Sequence, residues 1–373
     1  SMTEDPRFYQ IALTLINGIG SSHIRELIRC FGDAEALFHQ SKKTLQAIPS
    51  VGPALSDAVN DHTLFLRAEK ELDFIDKNDI RIYCIQDEDY PKRLRECNDA
   101  PYIFFFKGNA DLNASYVISI VGTRMATDYG KSVTEKFVAG LAEKFPNLLV
   151  VSGLAYGIDI SSHRAALANG LPTVAVLGHG LDRIYPFVHR QTATEMQQNG
   201  GLLTEFLSGT DPDRPNFVRR NRIVAGLSDA TIVVESAEKG GSLITAEMAL
   251  SYQRELYAFP GRTDDPHSKG CNQLIRKNKA GLITSAEEFI EAMGWDDRCL
   301  SVKVNLPQQT KLLFPDKEEY RQVVDLLQQN KEMHVNQLSV ALSLPMSQLS
   351  NILFDMEMEG LIKNMPGNIY RLN

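Results

Sequence analysis

Apolar and polar positions divide the chain into stretches of different period. Over residues 7–82 apolar side chains recur at helical spacing between short polar breaks, which predicts a group of helices. Over 99–295 short apolar runs, many β-branched, alternate with amphipathic stretches. The runs at 117–121, 148–152, 173–177, 202–206, 230–235, 256–259 and 282–284 read as strands. Those at 128–144, 158–169, 189–199, 216–227, 242–253 and 285–293 read as helices. Such alternation predicts an α/β core with a mostly parallel sheet, whose ligands sit at the C-terminal strand ends. Residues 296–316 carry Pro307 and Pro315 with little periodicity and read as a linker. Residues 317–373 read as a small, mainly helical unit. The expected division is 1–82, a connector at 83–98, 99–295, a linker at 296–316, and 317–373.

The strand ends lead into glycine-bearing turns: Gly122-Thr123-Arg124, Gly153 to Asp159, Gly178-His179-Gly180, and Lys239-Gly240-Gly241-Ser242. Glycine lets backbone N–H groups approach a ligand closely, and a helix N-terminus favours an anion. Several such turns on one edge predict a phosphate-binding rim. In the N-terminal stretch, Leu15 to Gly20 and Ala47 to Pro53 place glycine between helical runs. That arrangement resembles helix-hairpin-helix modules, although only Arg25, Arg29, Lys42 and Lys43 supply positive charge near the turns.

Charge changes the picture only locally. The 373 residues carry 39 basic and 47 acidic side chains, a net charge of −8, distributed as −4, −2 and −2 over 1–98, 99–295 and 296–373. That balance excludes a bulk coating of nucleic acid. One segment departs from it: Arg214 to Arg222 (RPNFVRRNR) holds four arginines in nine residues. Arginine's planar fork suits phosphate. The competing expectation is internal pairing with Asp159, Glu205 or Glu235. No apolar run approaches the ~18 residues that span a bilayer, and no signal-peptide pattern opens the chain. The five cysteines are scattered without a CxxC, so reduced thiols in a cytoplasmic protein are expected, with neither metal site nor disulfide framework.

Known catalytic motifs fit poorly. Gly130-Lys131-Ser132 would need glycine at 125 for a P-loop, where Met125 stands, and Gly178-His179-Gly180 would need glycine at 183 for a dinucleotide fingerprint, where Arg183 stands. Ser152, Asp159 and His163 lack the nucleophile-elbow sequence. No nucleophile or acid–base pair emerges.

The central region resembles the DNA-processing protein A family, also called DprA or Smf. The motifs are VGTR at 121–124, SGLAYGIDISSH at 152–163, AVLGHGLDRIYP at 175–186, GGLLTE at 200–205, RRNRIVAGLS at 219–228, GGSLITAEMAL at 240–250 and FPGRTDDPHSKGCNQLI at 259–275, in family order. The resemblance implies a Rossmann-like core flanked by an N-terminal helical, helix-hairpin-helix or SAM-like domain and a C-terminal winged-helix domain. It implies a non-enzymatic protein without cofactor that binds single-stranded DNA, dimerises, and loads RecA recombinase during transformation or recombination. Carried over by motif, the DNA-contacting residues are Gly122, Thr123, Arg124, Ser152, Gly153, Arg219, Arg220, Asn221, Arg222, Gly241, Ser242 and Thr245. The family pattern often has lysine after Tyr185-Pro186, where this chain has Phe187. Arg183 or Arg190 could supply that charge, and Lys269 is a further candidate. Tyr156, Tyr185 and Phe187 are candidates for base stacking.

The alternative is a nucleotide-processing enzyme of the phosphoribohydrolase type. Gly240-Gly241 and Glu247 keep the outer spacing of PGGxGTxxE, but Leu243-Ile244 replaces the central pair. At the C-terminus, helices at 334–342 and 346–359 and a hairpin at 361–372 resemble a winged helix. The second helix has no Lys or Arg and carries Asp355, Glu357 and Glu359. Protein contact or regulation is therefore expected of it rather than duplex reading.

Overall fold

Six helices open the chain: α1 (Pro6–Thr14), α2 (Ser21–Phe31), α3 (Ala34–Phe38), α4 (Lys42–Gln46), α5 (Gly52–Ala58) and α6 (His62–Lys77). Asp5, Asp33, Ser41 and Asp61 accept backbone N–H bonds at the starts of α1, α3, α4 and α6. The computed structural model describes residues 2–295 and 318–373, so the expected linker at 296–316 lies outside the described residues. The chain divides after Met293 into two units.

The first unit continues with β1 (Arg81–Cys84), α7 (Lys92–Arg95), β2 (Ile103–Gly108), β3 (Val117–Val121), α8 (Asp128–Lys144), β4 (Leu149–Ser152), α9 (Ile158–Ala168), β5 (Thr173–Val176), α10 (Arg190–Met196), β6 (Gly200–Thr204), α11 (Arg214–Gly226), β7 (Ala230–Val233), α12 (Gly241–Ser251), β8 (Glu255–Ala258), α13 (Lys269–Arg276), β9 (Gly281–Leu282) and α14 (Ala286–Met293). The strands form one sheet in the order β1-β2-β6-β5-β4-β3-β7-β8-β9. It is parallel from β6 to β9, and β1 and β2 extend it in antiparallel pairing. The expected α/β core with helices between parallel strands is what the chain forms.

The antiparallel pair was not anticipated, and it crosses the expected boundary: Ile82 and Tyr83 are neighbours within β1. Its side chains alternate between two cores. Ile82, Cys84, Ile103 and Phe105 pack among the N-terminal helices, while Tyr83, Phe104 and Phe106 pack into the core of the parallel sheet. With both faces buried, residues 103–106 (IFFF) read as a continuous apolar run rather than an alternating one.

Further ties fasten the N-terminal helices to the sheet. Arg25 donates to the carbonyls of Cys97 (2.7 Å) and Arg95 (3.2 Å). Glu71 of α6 is buried and accepts from Ser208 N (3.0 Å) and Oγ (2.5 Å), while Arg67 donates to Ser208 O (2.6 Å) and pairs with Glu71. The arginine nearest the first glycine turn is thus spent inside the protein.

The second unit holds α15 (Glu318–Asn330), β10 (Glu332–His334), α16 (Val335–Leu342), α17 (Met346–Met358), β11 (Ile362–Met365) and β12 (Ile369–Leu372). Its three-stranded sheet, order β10-β12-β11, and its helices enclose a separate core around Val323, Leu338, Leu349 and Met356. This is the winged-helix arrangement. Among the described residues no helix is long and apolar enough to cross a membrane.

Candidate nucleic-acid interface

After β3 the chain builds β4, β5 and β6 on one side, then returns to place β7 on the other side of β3. A doubly wound sheet opens a crevice at such a reversal, outside the strand ends. The ends of β3 and β7 are stitched there by Val234 N to Val121 O (3.0 Å) and Thr123 N to Glu235 O (2.7 Å). Glu235, buried, accepts from Thr127 N (2.9 Å) and Oγ1 (2.5 Å), and Thr127 in turn caps α8. The α9 start joins the same edge through Ile158 N to Thr123 O (3.1 Å). Gly157 is required here: its φ is +81°, and a Cβ would strike the Thr123 carbonyl and Arg124 backbone.

Arg124 projects from this edge, exposed, and makes no ion pair among the described residues. Its guanidinium lies 5.5 Å from the ring centre of Phe217, and that of Arg220 lies 5.3 Å from the same ring. Tyr185, 46% exposed, packs against Phe217 at 5.7 Å between centres. Gly178 leaves room for the Phe217 ring, which a Cβ would meet at 2.7 Å. Phe217 escaped the sequence reading, though an aromatic inside a basic segment is a stacking signal.

Asn221 links this platform to the next turn. Its Oδ1 accepts from Arg220 Nε (3.0 Å) and its Nδ2 donates to Gly241 O (3.4 Å). Gly241, exposed, opens α12, whose N-terminus has no side-chain cap. Thr123 and Gly122 complete the rim half-buried. Gly122 also serves packing, since a Cβ there would meet Ile158 and the Glu235 carbonyl. The first turn of α13 adjoins this loop through Gly270 N to Ser236 O (2.8 Å), with Lys269 exposed.

Six of the expected phosphate contacts are buried, with their side chains or amide bonded inside the protein. Arg222 is 7% exposed and grips Glu205 with both terminal nitrogens (2.5 and 2.7 Å), while its Nε donates to Asp99 O. Arg220 is buried and donates to Gly153 O (2.7 Å) and Val176 O (2.8 Å). Ser152 is buried with its hydroxyl on Ile120 O (2.6 Å). The Gly153 amide is taken by Asp159 (3.0 Å), and a Cβ on Gly153 would strike the Arg220 guanidinium. Ser242 and Thr245 are buried, bonded to Ser236 Oγ and Gly241 O. Burial raises the Asp159 carboxyl above the usual range, against the opposing influence of Arg220. Arg219 is 54% exposed but shares Glu205 (3.0 Å). Of the three candidate internal partners, Glu205 is the one that pairs with arginine.

The remaining candidates lie between β4 and α9 (Tyr156), on the loop between β5 and α10, and at the start of α10. Arg183 is paired with Asp211 (2.9 Å). Phe187 is 66% exposed with the Arg190 guanidinium 4.5 Å from its ring centre. Tyr156 meets His189 edge-on at 5.2 Å. Glu247, the carboxylate of the alternative enzymatic reading, is exposed on α12 and paired with Lys279 (2.6 Å). Among the described residues no group of three or more His, Cys, Asp or Glu side chains could hold a metal ion.

Residues 81–294 match the family model for DNA recombination-mediator protein A, and residues 307–368 that for the DprA winged helix domain. The chain is 32% identical over 359 residues to the putative DNA processing protein DprA of Mycobacterium tuberculosis, covering 93% of this chain and 89% of the relative. It is 40% identical over 208 residues to DNA processing protein DprA of Streptococcus pneumoniae, covering 56% and 72%. The X-ray structure of the pneumococcal DprA superposes with a TM-score of 0.60 at 30% identity, over 78% of this chain and 95% of that one. A Helicobacter pylori DNA processing protein A, solved for its single-stranded DNA binding mode, superposes at 0.52 with 31% identity over 57% and 95%.

Proposed function

Because this chain belongs to the DNA recombination-mediator protein A family, we propose that it binds single-stranded DNA at the rim around Arg124, Phe217, Asn221 and Gly241. On this reading it acts without catalytic turnover, as a cytoplasmic homodimer that loads RecA onto the bound strand. The observation that carries the reading is the unpaired, exposed Arg124 beside the Phe217–Tyr185 aromatic pair at the sheet's reversal point. A cation and flat rings side by side suit a strand whose phosphates and base faces are both accessible. A duplex hides its base faces, so single strands are expected to bind more tightly at equal salt.

Titration of labelled single-stranded and duplex oligonucleotides across salt concentrations tests this. Arg124→Ala is expected to weaken single-strand binding and reduce the logarithmic salt slope by about 0.7, the value of one phosphate contact on a single strand. Unchanged affinity and slope would refute the rim. Acceleration of RecA assembly on single strands, and sedimentation as a dimer, test the two partner assignments. Release of free base from a nucleotide, abolished by Glu247→Ala, would replace this reading with the enzymatic one.

A further inference from the structure

A groove of about 870 Å³ lies between α8 and α9, lined among others by Arg124, Lys131, Tyr156, Arg164 and Val188. It lies outside the rim but shares Arg124 with it. The geometry points to this groove as a second section of the single-strand path, taking the nucleotides that follow those held at the rim. This rests on the proposed function and extends it.

Charge favours that occupant. Arg124, Lys131 and Arg164 are all exposed, and none makes an ion pair among the described residues. Elsewhere in the first unit arginines are mostly consumed: Arg25, Arg67, Arg93, Arg220, Arg222 and Arg254 all bond to carbonyls or carboxylates. Arg164 makes one long side-chain bond, Nε to Thr192 Oγ1 at 3.4 Å. Against the three cations the groove sets one carboxylate, Glu135. Three unpaired cations along one channel, in a protein of net charge −8, make a local track for a polyanion.

The groove also offers a stacking surface. Tyr156 is 48% exposed at the groove mouth and its ring is held by the buried His189, whose Nδ1 donates to Leu154 O (2.8 Å). An exposed ring supported from beneath keeps its orientation, and base stacking on such a ring tolerates every sequence. Continuity is supplied at the corner, where Gly157 packs its backbone against Arg124. A strand leaving the rim at Arg124 therefore enters a groove that also presents Tyr156, Lys131 and Arg164.

The test is an oligo(dT) length series, from about 6 to about 24 nucleotides, a span bracketing single-strand site sizes. The full chain is expected to gain affinity with length beyond what the rim holds. Arg164→Ala and Tyr156→Ala are each expected to remove that gain, at least about fivefold for the stacking ring. Both should leave the shortest bound oligomer unaffected. Tyr156→Phe should restore the gain, and Lys131→Ala should lower the salt slope on long oligomers only. Equal length dependence in wild type, Arg164→Ala and Tyr156→Ala would overturn the groove while leaving the rim intact. Arg124→Ala without effect on the shortest oligomer would instead overturn the rim reading. Charge reversal in Arg164→Glu, monitored by thermal melting, keeps the test decisive if one alanine variant is unstable.

Discussion

Glu205 is 7% exposed and holds Arg222 by both its oxygens, so removing that guanidinium leaves the buried carboxylate with the half-exposed Arg219 as its remaining ion-pair partner. Breaking a buried pair from one side costs about 3–5 kcal/mol. With Arg219 still in place, Arg222→Ala is expected to lose less than that full cost in chemical denaturation, while its folded fraction keeps the wild-type salt slope for single-stranded DNA. A reduced slope would return Arg222 to the interface. A second residue-scale prediction concerns pH. His163, His179 and His189 are buried and lowered from the usual histidine range by burial, His163 to about 3. Unfolded, such a histidine takes a proton near pH 6.5; folded, it resists. The stability is therefore complete above that value and is lost as pH falls, by up to about 1.4 kcal/mol per unit for each group. The melting temperature should drop between pH 7 and pH 5, and less steeply in His163→Gln; identical slopes would contradict this. Four arginines in nine residues were visible in the sequence, but not which turned inward. Helix α11 has protein on two sides, the Gly153 and Val176 carbonyls on one and Glu205 and Asp99 on the other. That is fixed by tertiary packing, which a local charge count does not contain.

At the scale of elements, the parallel strands and their helices were legible because each is an apolar run bounded by glycine or polar turns. Helix α8 falls at 128–144 as expected. The antiparallel pair was hidden because β1 has four residues and β2 is buried on both faces. The order of strands was also not in the pattern, and it alone decides that the turns after β3 and β7 adjoin. One link between elements deserves a direct probe. The loop preceding α11 is held by Glu71 and Arg67 of α6 through Ser208. Leaving the Ser208 amide and hydroxyl without their acceptor costs about 1–3 kcal/mol. Glu71→Ala should lower stability by that amount and speed amide hydrogen exchange over residues 206–212. Unchanged exchange there would mean that the loop is held by other contacts.

For the whole molecule, the described residues contain separate cores in the two units. Calorimetry of the full chain is expected to resolve two transitions, one for the N-terminal helices and sheet together and one for the winged helix. A third, separate melting of the N-terminal helices would disprove their merger with the sheet. The exposed face of α17 carries Phe354, Met358, Asp355 and Glu357 and no basic residue. Deleting 318–373 should leave single-strand affinity within about twofold, since the rim and groove are built from residues 122–241; the electrostatic term that dominates affinity comes from cations there. A large loss would assign DNA contacts to the winged helix.

The two faces of β1 and β2 belong to two cores, and this bears on how the chain can be divided in the laboratory or by recombination. A truncation between Ile82 and Tyr83, where the hydrophobic period changes, would end one fragment inside a strand. That fragment would lose Cys84, Ile103 and Phe105 from its interior, and its complement would present those side chains, with an unpaired edge of β2, to water. Both products would be sticky, the second through a bare strand edge. The helical module is therefore not a portable cassette, and exchanges between relatives would preserve folding only with their crossover points outside residues 81–108.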